Sequence, residues 1–135
     1  MKYSIAFDSS WNRFTLTTFE AVSMKGVKQM LRDLLMHPSW KKGRDLLVDH
    51  RKASFSQISS EEMAFLADTV VALDEKLGAR FCAVISPDDG ITKHAMYKFD
   101  VDPRADLVTR VFMADEYDAA LEWLGFRATH QRETA

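Results

Sequence analysis

Asp49, His50 and Arg51 directly follow an apolar run, Leu46, Leu47 and Val48. A carboxylate, an imidazole and a guanidinium at a strand end are groups that proton transfer and anion binding use. Open α/β sheets bind their ligands at the carboxyl ends of parallel strands. In a small hydrolase, His50 would be the base, Asp49 its orienter, and Ser54, Ser56 or Cys82 the nucleophile. Adjacent residues of an extended strand point to opposite faces, however, so adjacency in sequence does not assemble a relay. No G-x-S-x-G elbow surrounds these serines. The leading expectation is an aspartate and a histidine satisfied by neighbours where the strand ends.

Ser59 and Ser60 carry a second chemistry. A phosphate at a helix N-terminus meets free amides and the positive end of the dipole, so either serine could be a phosphosite. Glu61 and Glu62 would repel a dianion there. Ser59 and Glu62 have capping-box spacing, with Ser60 as the rival cap, and a structural cap is the leading expectation. His37, His94 and His130 form no ligand spacing with one another, and Asp88-Asp89-Gly90 lacks the twelve-residue calcium loop. No glycine-rich loop follows a strand, which excludes the standard nucleotide fingerprints. No metal and no cofactor are expected. Trp11, Met96, Tyr97, Phe99, Tyr117 and Phe126 are surplus aromatic and thioether groups, suited to a partner interface or to the lining of an apolar pocket.

These residues need elements to position them. Tyr3, Ile5 and Phe7, then Phe14, Leu16 and Thr18, alternate as two strands over 3–8 and 13–20, paired antiparallel around a turn that holds Trp11. Ser23 caps a helix over about 24–36, with Val27, Met30, Leu31, Leu34 and Leu35 on its apolar face. His37-Pro38 ends it. Trp40 is placed to close the end of the core.

Residues 46–48 are a buried strand. Met63, Leu66, Val70, Leu73 and Leu77 then recur at helical spacing until Gly78, and Phe81–Ile85 is the next buried strand. Strand, helix, strand at this spacing is a crossover that should bring 46–48 and 81–85 side by side in one sheet. A short helix is expected over about 91–99, then a strand over 108–113. Asp115 and Asp118 have capping-box spacing ahead of a last helix that Gly125 is placed to end. The pattern is β-β-α-β-α-β-α-β-α, an α/β fold with a mixed, mostly parallel sheet. Residues 1–126 form one domain, and 127–135 read as a flexible tail.

Bulk composition agrees with that class. The chain has 135 residues, 47% hydrophobic and 28% charged, with a net charge of -2. These values fit one globular domain and give no basic footprint for nucleic acid. Cys82 is the sole cysteine, so no internal disulfide forms. The N-terminus MKYSIAFDSS has no apolar stretch fit for a signal peptide or membrane span, so a cytoplasmic location is the expectation and an integral membrane protein is not.

Two segments carry a family resemblance: LLVDHRKASFSQISSEEM at 46–63 and RVFMADEYDAALEWLG at 110–125. With the order of elements over about 3–125, they make the chain resemble the bacterial SpoIIAA-like proteins, a branch near the STAS (sulfate transporter and anti-sigma factor antagonist) domains. The resemblance implies a single compact domain with no cofactor and no catalytic residue, acting through protein contact. In the anti-sigma antagonists a serine in an Asp-Ser-Ser-Gly run at a helix N-terminus is phosphorylated. The matching region here is Ser56 to Ser60, where the chain reads Gln57-Ile58-Ser59-Ser60-Glu61.

The leading functional expectation is thus a non-enzymatic interaction or regulatory domain, a homodimer or a module binding another protein. The first-hairpin edge, Trp11 and the surface near the third helix are its candidate contacts. The alternatives are a binder of lipid or a small apolar molecule beneath residues 91–104, and the small hydrolase that uses His50.

Overall fold

The computed structural model describes residues 1–78, 81–87 and 108–134, with the side chains of 73–75, 77 and 126–134 left out of the description. The strands are β1 (Lys2–Asp8), β2 (Arg13–Ala21), β3 (Asp45–Ser54), β4 (Phe81–Ile85) and β5 (Val108–Phe112). They form one sheet in the order β1-β2-β3-β4-β5. β1 runs antiparallel to β2, and the other three pairings are parallel. Leu46 pairs with Cys82 and Val48 with Val84, so the two inner runs lie side by side as the crossover requires.

The helices are α1 (Met24–Leu35), α2 (Ser60–Leu77) and α3 (Tyr117–Thr134), with a 3-10 turn at Ala114–Glu116 before α3. α1 and α2 lie over one face of the sheet. Leu16, Leu46 and Cys82 pack there with Met30 and Leu34 of α1, and Val70 of α2 joins the same cluster. α3 covers the other face over β3–β5, where Leu47, Ala83, Ile85 and Phe112 meet Ala120 and Leu124. The alternation along β3 and β4 therefore feeds two cores at once, which is why both strands read as continuous apolar runs. The expected helix over 91–99 lies outside the described residues.

Local signals explain most of the element ends. Ser23 Oγ accepts from the Gly26 amide at 3.0 Å and starts α1. Gly78 follows α2 with φ of 54°, the left-handed C-terminal position where a β-carbon is disfavoured. Trp40 packs on Phe14 with ring centroids 5.4 Å apart and closes the end of the first core.

Three sequence expectations are corrected. Asp49, His50 and Arg51 do not mark the end of the central strand: β3 continues to Ser54 because β2 remains its partner out to Ala21↔Ser54, whereas β4 stops at Asp49↔Ile85. The Asp115–Asp118 box gives way to Glu116, whose Oε1 accepts from the Met113 amide at 2.8 Å at the head of the 3-10 turn. Gly125 does not end the last helix, which continues to Thr134. A helical glycine costs only about 1 kcal/mol relative to alanine. Here its bare α-carbon lies against Trp11, whose ring would be 3.5 Å from an added β-carbon.

Candidate functional site

β3 carries the chemistry, and a register irregularity divides it between the faces. Thr17 pairs with Asp49, but Phe19 pairs with Lys52, so β3 spends one more residue than β2 between them. Such a bulge is uncommon in parallel pairs, and bulges re-aim side chains near sites. His50 is at this point, on the α1/α2 face. Asp49 and Arg51 face α3.

On the α3 face, Arg51 Nε lies 3.0 Å from Asp49 Oδ1 and its Nη2 2.8 Å from Oδ2, a forked pair. The Arg51 amide also donates to Asp49 Oδ1 at 3.0 Å. Burial pushes the Asp49 carboxyl up, but the Arg51 side chain and amide outweigh it and hold the carboxyl below its ordinary value. The Arg51 guanidinium lies 3.9 Å from the Tyr117 ring centroid. Tyr117, expected at a partner interface or in the lining of an apolar pocket, is half-buried and stacks with Arg51. With its fork closed on Asp49, Arg51 ties β3 to the start of α3.

On the other face, His50 is buried. Its Nδ1 is 2.6 Å from Thr18 Oγ1, and its ring meets Phe55 edge-on with centroids 4.9 Å apart. Burial pushes the imidazole pKa down to about 4, with Asp49 opposing weakly, so the ring is neutral at pH 7. The nucleophiles named from sequence are not brought to it. Cys82 pairs with Leu46, four positions before His50 along β3, an offset of about 13 Å. Burial pushes its thiol up to about 12. Ser54 Oγ lies 3.0 Å from Ser56 Oγ, beyond the bulge. Asp49 points to the opposite face, as adjacency on a strand dictates.

His50 borders a cavity of about 110 Å³ between the sheet and the two helices. Leu16, Leu46, Val48 and Val84 form its floor, Val27, Met30 and Leu31 of α1 and Met63, Leu66 and Val70 of α2 its walls, with Cys82, Thr109 and Phe55 completing it. Its polar fittings are the His50 ring, the Cys82 thiol and the Thr109 hydroxyl. Sequence reasoning missed this site because each lining residue, taken singly, reads as core. The one outward sign is the His at an apolar strand position.

The remaining sequence candidates are placed as follows. Ser59 and Glu62 close a full capping box: the Glu62 amide donates to Ser59 Oγ at 3.1 Å and the Ser59 amide to Glu62 Oε1 at 3.2 Å. Ser60 is the exposed first residue of α2. Ser59→Ala should cost about 1 kcal/mol of unfolding free energy, read as a lower urea midpoint at unchanged slope. Trp11 is 46% exposed, with the Arg13 guanidinium 5.5 Å from its ring centroid. Met96, Tyr97 and Phe99 lie outside the described residues, as does the side chain of Phe126. Among the described residues no group of three or more His, Cys, Asp or Glu is placed to hold a metal ion. No helix among them is long and apolar enough to cross a membrane. No family model matches this chain, and no curated protein matches it.

Proposed function

We propose that this chain is a non-catalytic binding domain that takes a small apolar molecule, or the end of an alkyl chain, into the cavity beside His50. The observation that carries the reading is the cavity's lining: ten aliphatic or Met side chains, Phe55, and only three polar groups. Size supports it. An empty void of 110 Å³ forgoes about 2–3 kcal/mol of packing at ~24 cal/mol per Å³, a cost that an apolar occupant would offset. An engineered apolar cavity of about 150 Å³ accepts benzene or xenon, so occupants of that order suit this one. Thr18 engages Nδ1 of His50, and Nε2 is the ring nitrogen left to orient a hydroxyl or carbonyl on the occupant. The pocket expected beneath residues 91–104 lies outside the described residues; this cavity is walled by α1 and α2. The SpoIIAA-like and STAS identity stays part of the proposal. It rests on the two quoted segments and on the β-β-α-β-α-β opening, and agrees with a binding role.

The test is thermal unfolding with benzene, xenon and a series of linear alcohols from butanol to octanol. Saturating benzene or a mid-length alcohol should raise the midpoint by mass action. Val70→Leu combined with Val84→Ile fills the space from α2 and β4. The pair should raise the ligand-free midpoint and remove the ligand-dependent rise. A wild-type midpoint unmoved by every probe would overturn the reading.

A further inference from the structure

β1 is an end strand of the sheet, paired on one side with β2. Its other edge presents backbone N–H and C=O groups with no strand neighbour among the described residues. Natural edges are usually blunted by short strands, charged side chains, proline or bulges; here charge is confined to the two ends, Lys2 and Asp8. This one reads Lys2-Tyr3-Ser4-Ile5-Ala6-Phe7-Asp8 and keeps an unbroken register with β2 over its whole length. It has no proline, no glycine and no bulge.

The strand is self-complementary about Ile5. A two-fold axis through Ile5, perpendicular to the sheet, sets Lys2 opposite the partner's Asp8, Tyr3 opposite the partner's Phe7, and Ser4 opposite the partner's Ala6. We infer that the protein forms a homodimer by antiparallel pairing of two β1 strands on this axis, making one continuous ten-stranded sheet. The contact is isologous, so every pair occurs twice.

Charge selects the register. Centring on Ile5 joins both ends of opposite sign and uses all seven residues; moving the centre to Ser4 or Ala6 leaves one end of each strand without an opposite residue. Opposite charges across a ladder stabilise it and like charges oppose it. Lys2, Ser4, Ala6 and Asp8 are exposed on the face away from α1, while Tyr3, Ile5 and Phe7 are half-buried against the first core. Pairing therefore continues the aromatic layer across the axis on one face and keeps small residues at the centre of the other.

Existing contacts do not block it. Lys2 Nζ is 3.4 Å from Glu20 in an exposed pair, and Asp8 Oδ1 accepts from the Ser10 amide at 2.9 Å. An ammonium has three donors and a carboxylate a second oxygen, so each group can keep its contact and make the new one. α1 is fastened above β1 by the Tyr3 hydroxyl, which donates to Asp33. The edge is thus presented by a braced strand.

Sedimentation of the full chain at tens of micromolar should give the dimer mass. Lys2→Glu or Asp8→Lys places like charges together twice, and each should weaken dimerisation by about tenfold or more. The double variant should restore it. Circular dichroism and the thermal midpoint of each variant at low concentration separate lost pairing from lost folding. For the register, Ser4→Cys mixed with Ala6→Cys should give an oxidised heterodimer, while neither alone should cross-link efficiently; native Cys82 is buried and will not interfere. A monomeric wild type, a dimer indifferent to single reversal, a double variant that stays monomeric, or an absent Ser4–Ala6 cross-link would each overturn the inference.

Discussion

Acidification from pH 6.5 to pH 4 should remove about 3 kcal/mol of unfolding free energy through His50 alone. The imidazole pKa is depressed from 6.5 to about 4 in the folded chain. Between those values the unfolded chain carries a proton on this ring and the folded chain does not. Stability from this group is therefore complete above pH 6.5 and is lost as pH falls towards 4. The cause is burial among Leu16, Val48 and Phe55, where a charged ring loses its water and gains only the oppositely facing Asp49, whose carboxylate Arg51 already engages. Asp49 acts in a lower window: its pKa is held below 3.8, so its contribution persists above that value and fades only as pH falls through the depressed one. Urea unfolding at pH 7, 6, 5 and 4 measures the slope. His50→Gln keeps a hydrogen-bonding group near Thr18 without a titrating proton, and should flatten the curve between pH 6.5 and 4. An equally steep curve in that variant would show that another group carries the acid limb.

Phe14→Ala should cost about 3–5 kcal/mol, the range for emptying a large aromatic site in a packed interior. Phe14 has 0% exposure. Its ring centroid is 4.9 Å from Phe7, 5.0 Å from His37 and 5.4 Å from Trp40. These partners come from β1 and from the connection that follows α1, two separate segments that would both have to shift to fill the space. A fall of roughly 10 °C or more in the thermal midpoint is expected, with no new dependence on pH. If the domain is a dimer, the comparison belongs at fixed protein concentration.

The fold was legible wherever one residue type decided a local question. Ser23 capped α1, Ser59 and Glu62 closed their box, and Gly78 took the left-handed position after α2. The pairing of Leu46–Val48 with Phe81–Ile85 followed from two apolar runs joined by an amphipathic helix. What failed depended on partners that sequence does not display. β3 outran its apolar run because β2 is long enough to pair with its polar half. The bulge at His50 leaves no local signature, since it is a mismatch between two strands far apart in the chain. The last helix passed Gly125 because a glycine without a left-handed φ costs a helix only about 1 kcal/mol and does not by itself end it. The cavity was illegible for a related reason: Val48, Val70 and Val84 fill space in any sequence reading, and only their mutual distance leaves a void.

The strand order has a consequence for biosynthesis. Spatial order equals chain order, so no strand has to be threaded between two that are already in place. As the polypeptide leaves the ribosome, the hairpin can close first and each later strand can dock on the growing margin before its successor has been translated. The strand margins that a half-made molecule exposes are then those of its newest strand and of β1.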